Sequence, residues 1–383
     1  MPNQHSSSYE NTKPINIQFQ LEGRVSFLRL DNRLAVFSEQ LQKIFELNDT
    51  SAYLASCIAD KPTMPQLIHQ LQRQGLTPPQ ALNTIKQFVI PWSRAKLVSA
   101  FVSTNNLEPT KTVFIAIAGR NVALHFYDRT LANRVLPVFS HLKTRSRRAA
   151  GIFHLVNSDA LTYIFQDRKS AQVMELDQAA PALKGMLTDS LLARDEHTLA
   201  LHCAMLLRGG QALLLTGPPG AGKTTLTLEL LASGFKYAAD DITLLMSDGR
   251  VRGFSYAPAL KSGTWELSKK LPFQLSNIPI HKRMDGKWVK YVSQVKLGKQ
   301  MSVPVKWIAI LRRNGAGSTR WQSVDVATTL KELIKGAHAR DASLNDSQLR
   351  ILIKMIGRTT AGILEYADAK EAARMLEKKC EAE

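Results

Sequence analysis

At 383 residues the chain is longer than one typical domain, so two or three units with at least one sizeable hydrophobic core are expected. Its 44% hydrophobic content is that of a globular chain. No run approaches the roughly twenty apolar residues of a bilayer crossing, and no short apolar segment flanked by positive charge opens the sequence, so neither a membrane span nor a secretory leader is expected and the cytoplasm is the default. The formal net charge of +18 bears on partners rather than on fold.

In chain order, residues 1–14 form a polar leader rich in Ser and Asn that is expected to be disordered. Residues 15–37 read as short strands: 15–19 alternates, and 25–30 follows a turn at Gly23. Three helices follow. The first opens at Asn48 or Asp49 with Tyr53, Leu54 and Ile58 on one side. The second has Thr63 as N-cap with Gln66 three residues on, a capping-box spacing, and stops before Gly75. The third repeats the device with Thr77, Pro78 and Gln80, then runs through Leu82, Ile85 and Val89 towards Pro91. Together these elements predict a compact winged-helix-like unit over 15–98.

From Lys111 the texture changes to β-branched and aromatic strands at 113–118, 122–127, 151–156 and 161–165, with a helix at 131–142 between them. Residues 108–195 therefore read as an intermediate α+β module, and a helix at 180–193 leads out of it. The third region, 196–383, opens an α/β pattern. Residues 211–216 are a continuous apolar strand of the buried, parallel type, followed by a Gly-rich loop and a helix at 223–233 closed by Gly234. Further strands are expected at 242–246 and 307–311, and a charged helix from Asp368 ends the chain. Cys57, Cys203 and Cys380 are too far apart and odd in number for a disulfide framework or a zinc cluster, and suit a reducing compartment. No internal repeat is evident.

The loop Gly217-Pro218-Pro219-Gly220-Ala221-Gly222-Lys223-Thr224-Thr225 matches G-x-x-x-x-G-K-[ST] in full, between an apolar strand and an amphipathic helix. Its backbone N–H groups and the positive end of the following helix make an anion site, so a nucleoside triphosphate is expected there. Lys223 reaches the β- and γ-phosphates, and the Thr224 hydroxyl is offered to Mg²⁺. Beyond the helix stands Asp240-Asp241. Adjacent carboxylates are costly unless a cation or proton lies between them. On a strand they point to opposite faces, so that one can hold Mg²⁺ while the other takes a proton from a substrate hydroxyl. The alternative is a pair of turn residues capping the next strand. His202, on the apolar approach to the loop, reads by itself as a core histidine.

Charge is uneven as well as high. Residues 250–320 carry fifteen Lys/Arg against two acids, Glu266 and Asp285, and Lys143, Arg145, Arg147 and Arg148 cluster upstream. Such surfaces attract phosphates, acidic peptides or nucleic acid, or simply keep a protein solvated.

His202, the phosphate loop and the segment 232–241 ending in Asp240-Asp241 together resemble the catalytic core of HPr serine kinase/phosphorylase and its relatives, whose fold is similar to phosphoenolpyruvate carboxykinase. The resemblance covers about 199–246. It implies ATP and Mg²⁺ as cofactors, Asp241 as catalytic base, Asp240 and His202 as its partners, and Lys223, Thr224 and Asp240 as phosphate and metal ligands. The chain departs from the bifunctional members of that family. Their acidic Glu-x-Arg-Gly signature has no counterpart, and the nearest segment, Arg250-Val251-Arg252-Gly253, comes too early and has arginine in place of the acid. The segment 257–263 instead resembles HPr-kinase-like enzymes of peptide-tailoring gene clusters, including those that phosphorylate lasso-peptide precursors, and makes Lys261 a candidate phosphate or substrate contact.

Residues 17–98, through Leu30-Asp31-Asn32-Arg33 and the run from Phe45 to Ala52, resemble a PqqD-type recognition element, which binds a precursor's leader peptide as an added strand. The combined expectation is an ATP-dependent kinase acting on a Ser or Thr hydroxyl of a ribosomally made precursor peptide. A kinase acting on a folded protein or small metabolite shares the same site. A nucleotide-gated nucleic-acid binder is the non-enzymatic alternative, though no recognition helix or interleaved aromatic motif supports it. Monomer and homo-oligomer both remain open.

Overall fold

Capping chemistry fixes the start of each helix in the N-terminal unit. Asn48 Oδ1 accepts from the backbone N of Ser51 at 2.8 Å and opens the helix Asp49–Ala59. Full capping boxes at Thr63/Gln66 and Thr77/Gln80 open Met64–Arg73 and Pro78–Arg94. The last of these was expected to run towards Pro91, yet it passes through it to Arg94. An interior proline costs about 3 kcal/mol, and here the buried face formed by Phe88, Val89, Ile90 and Trp92 offsets it.

The computed structural model describes residues 15–104, 107–167, 169–193, 197–268, 272–298, 301–315, 317–338 and 343–381 as a mixed α/β chain in two units. The leader 1–14, expected to be disordered, lies outside the described residues. The first unit takes residues up to Thr112 together with Leu124–Ala132 and Gly151–Leu176. The second takes Val113–Ala123, Asn133–Ala150 and the rest of the chain from Asp177. The stretch 108–195 thus contributes to both units.

In the first unit, strands Val25–Leu30, Arg33–Ser38 and Lys43–Leu47 form an antiparallel meander with Phe27, Val36 and Phe45 in register. Asn16–Leu21 pairs antiparallel with Val98–Ser103. The three helices bury Leu54, Ile58, Leu67, Leu71, Ile85 and Val89 in one core with Phe19 and Val36. Val25–Leu30 is an edge strand, and Phe27, Leu30, Leu34 and Ile44 leave apolar surface exposed on this small sheet.

The second unit is built on a six-stranded sheet in the order Lys236–Ala239, Ala204–Arg208, Gln211–Thr216, Val305–Arg313, Thr360–Tyr366, Arg320–Ser323. Gln211–Thr216 pairs in parallel with Val305–Arg313, and that strand in parallel with Thr360–Tyr366, while the outer pairings are antiparallel. The apolar run of Gln211–Thr216 now has its cause. Leu213 and Leu215 face a core with Leu226 and Leu230 of the helix Lys223–Ala232 and Leu376 of Ala369–Glu381. Ala212 and Leu214 face the opposite core with Leu333 of Val326–Ile334 and Leu352 of Asp346–Ile356. A strand covered on both faces cannot alternate with polar residues.

Among the described residues no helix is long and apolar enough to cross a membrane, and Cys57, Cys203 and Cys380 are buried. Because Leu214 is fully enclosed, Leu214→Ala is expected to remove about 2–5 kcal/mol from the second unit's stability, read as a lower urea midpoint at unchanged m.

Candidate active site

The phosphate loop leaves the end of Gln211–Thr216 and enters the helix Lys223–Ala232. Gly222 is the helix N-cap in the left-handed region (φ +90°), and a Cβ there would collide with the Tyr366 hydroxyl. That hydroxyl donates to the Ala221 carbonyl at 2.5 Å, so the last residue of a distant strand props the loop from beneath. Lys223 folds back over the loop, its Nζ donating to the Gly217 carbonyl at 2.6 Å.

Asp240 and Asp241 occupy a bend between Lys236–Ala239 and Thr243–Met246 rather than a strand. Both sequence readings of the pair therefore describe it in part: the residues sit in a turn, and they face the phosphate loop. Asp240 is buried, at 7% exposure, and its Oδ2 accepts from Thr224 Oγ1 at 3.1 Å and from the backbone N of Ala259 at 3.2 Å. Its Oδ1 is buried and has no hydrogen-bond partner among the described residues. Asp241 is half-exposed; its Oδ1 lies 2.9 Å from His202 Nδ1, and its Oδ2 lies 3.9 Å from Lys184 Nζ.

The environment pushes the two carboxyls in opposite directions. Burial, together with the charge of Asp241, raises Asp240 to about 6, against which Lys184 and the two hydrogen bonds act only in part. Burial would raise Asp241 too, but the hydrogen bond from His202 and the charges of Lys184, His202 and Arg283 outweigh it and hold this carboxyl well below the usual range. Two neighbouring acids are thereby given different protonation behaviour, a pattern that marks functional carboxylates. Burial also lowers Lys223, against the pull of Asp241 and Asp240.

His202 is not the enclosed histidine that its apolar sequence context suggested. It follows the strand His197–Leu201, its backbone N donates to the Gly336 carbonyl at 2.7 Å, and its side chain is 41% exposed. Gly336 is required by this approach, since a Cβ there would stand 2.8 Å from the His202 Cβ.

A cavity of about 360 Å³ collects Lys223, Thr224, Asp240, Asp241, Lys184 and the exposed Lys261. The loop residues Pro218, Pro219, Gly220, Gly222 and Thr225 line it too, while Gly217 lies outside it, in a neighbouring cavity. Ala221 faces the core. Sequence reasoning missed Lys184, Arg283, Gly336 and Tyr366. Lys184 gave no signal: it lies on the helix Ala179–Leu192, held over the Tyr256 ring at 5.4 Å, and nothing in its neighbourhood distinguishes it from a solvated lysine.

No family model matches the chain, and no curated protein matches it. Among solved structures it is similar to that of the Hpr(Ser) kinase/phosphatase from Coxiella burnetii, at 12% identity, over 48% of this chain and 98% of that one, with a TM-score of 0.24. That level of likeness is too low to carry any residue role across.

Two expectations concern the ligand-free protein. Asp240 rises from 3.8 unfolded to about 6 folded, so the folded state loses stability on ionising it, a penalty that is absent below pH 4 and complete above pH 6. Stability should fall through that window by a few kcal/mol, and Asp240→Asn should flatten the profile measured by urea unfolding at each pH. Asp241, held low, loses its contribution only below the usual carboxylate range and does not mask the effect. Gly336→Ala should cost about 1–3 kcal/mol by overpacking against His202, whereas Gly315→Ala, with open space around it, should stay within about 0.5 kcal/mol in the same assay.

Proposed function

We propose that the chain is an ATP-dependent kinase that phosphorylates a Ser or Thr hydroxyl of a precursor peptide held through its leader by the N-terminal unit. The observation that carries this reading is the pairing of Thr224 with Asp240 and of His202 with Asp241 around a complete phosphate loop. A loop alone binds a triphosphate; a second, separately tuned carboxylate beside it gives the acceptor a place to lose its proton.

The donor set at Thr224 and Asp240 fits a hard divalent cation. A hydroxyl and a carboxylate stand together, and Asp240 Oδ1 is a buried oxygen in need of a partner. Mg²⁺ held there would neutralise phosphate charge. Asp241 accepts the proton of the acceptor hydroxyl as its oxygen bonds to the γ-phosphorus, the bond to the β–γ bridging oxygen breaks, and ADP leaves. Strong ionisation makes Asp241 a weak base, which suits a loose phosphoryl transfer in which the nucleophile needs orientation more than early deprotonation. His202 fixes the orientation of that carboxylate, and Lys223 leaves the Gly217 carbonyl for the incoming phosphates.

The first unit supports the peptide reading. Its three-stranded sheet is followed by three helices, as in a PqqD-type element, with Val25–Leu30 as an edge strand, among the described residues, that carries exposed Phe27 and Leu30. An extended leader can add to that edge by main-chain hydrogen bonds. Covalent linkage of leader and core then raises the core's local concentration, so the catalytic pocket can bind the acceptor weakly.

Mass spectrometry after incubation with Mg-ATP and a leader-bearing precursor should show phosphate addition, reduced about 10²–10⁴-fold in Asp241→Asn. No addition by the wild type, or undiminished addition by the variant, contradicts the assignment. Cutting the leader from the precursor should raise KM with little change in kcat; equal KM for both forms removes the role given to the first unit.

A further inference from the structure

We propose that the cavity of about 850 Å³ beside the entry limb of the phosphate loop is the acceptor cleft, and that it takes an acidic peptide segment around the hydroxyl to be phosphorylated. This inference rests on the kinase reading and adds to it where the acceptor lies and what flanks it.

Two cavities meet at the loop and share His202, Pro218, Pro219 and Arg313. The smaller one holds Lys223 to Thr225 and both aspartates. The larger touches the loop only from Thr216 to Pro219, at the opposite limb. A nucleotide could in principle fill either, but the loop has a direction. In a phosphate loop the lysine ammonium serves the β- and γ-phosphates, while the backbone at the helix entrance cradles the α- and β-phosphates. Lys223 Nζ rests on the Gly217 carbonyl, at the limb that the larger cavity shares. The γ end of the triphosphate therefore points to Gly217, and the nucleoside lies towards Thr225. A hydroxyl attacking in line approaches from beyond the γ-phosphorus, which is the side of the larger cavity. His202 stands on the wall common to both, holding Asp241 at 2.9 Å, so the proton acceptor sits where the two chambers join.

Charge identifies the occupant. Arg312 and Arg313 end the strand Val305–Arg313, both exposed, and neither has a carboxylate partner among the described residues. Lys335 and His338 add to the same wall. The one acid in the lining, Glu332, is already paired with Lys335 at 2.6 Å. Buried Ile310 and Leu311 supply an apolar floor. The volume lies within the range of pockets that bind small ligands or a few residues of extended chain. A cleft with an apolar floor and two unpaired guanidiniums suits carboxylate side chains beside a small hydroxyl residue, because guanidinium takes a carboxylate by two parallel hydrogen bonds.

The test compares Ser peptides flanked by Asp and Glu, by Ala, or by Lys as acceptors, with the Kd for ATP measured alongside. The wild type should favour the acidic set by about tenfold or more in kcat/KM, chiefly through KM. Arg312→Gln should erase much of that preference and Arg312→Glu should reverse it, with ATP affinity unchanged in both. Equal use of all three sets by an enzyme that does transfer phosphate overturns the cleft while leaving the kinase reading standing. Weakened ATP binding in Arg312→Glu with the peptide preference intact also overturns it, by placing the nucleoside there. ATP binding without transfer to any acceptor sinks the kinase reading and this inference with it.

Discussion

Two carboxylates on consecutive residues, one of them buried, set the terms for everything around them. Ionised together without cations they would repel across a short distance in a poorly screened environment. The fold answers with unequal surroundings. Asp241 receives His202, Lys184 and Arg283, while Asp240, offset only in part by Lys184, has two neutral donors and one oxygen without a hydrogen-bond partner among the described residues. The arrangement is tolerable when empty because Asp240 can take a proton, and under the proposed function a dication and phosphates would complete it. Positive charge from the 250–320 stretch reaches this site at Lys261, Arg283 and Lys287, so part of the +18 balance is local to the aspartate pair.

Tight packing holds that arrangement in place. Tyr366 supports the loop at Ala221, and Gly336 lets a backbone approach His202 closely enough to fix its position through a main-chain hydrogen bond. Both come from strands or turns far along the chain. The double-sided sheet gives them a rigid frame, with separate cores above and below Gln211–Thr216. Side chains that must hold geometry within fractions of an ångström are best carried by elements of this kind.

What was legible in the sequence was local. The capping boxes at Thr63 and Thr77, the apolar strand before the loop and the loop itself depend on residues a few positions apart, and such patterns survive without tertiary knowledge. The aspartate pair could be seen as unusual, but not which member would be buried, because that depends on Ala259 and Thr224 meeting it from other segments. Pro91 misled because burial of the neighbouring face outweighs local propensity. Lys43–Leu47 escaped notice as a strand because Lys43 and Glu46 interrupt its pattern and none of its five residues is fully buried, although Phe45 pairs with Val36. Lys184, Gly336 and Tyr366 were invisible for a simpler reason: each acts by touching a residue that is distant in sequence, and a lone lysine, glycine or tyrosine carries no mark of its partner.

The division of labour between the two aspartates is the central claim, and the dependence of ATP affinity on Mg²⁺ tests it most directly. Isothermal titration of ATP with and without Mg²⁺ should show that the cation tightens binding in the wild type and in Asp241→Asn, and fails to do so in Asp240→Asn. Loss of the Mg²⁺ effect in Asp241→Asn with its retention in Asp240→Asn would contradict the account.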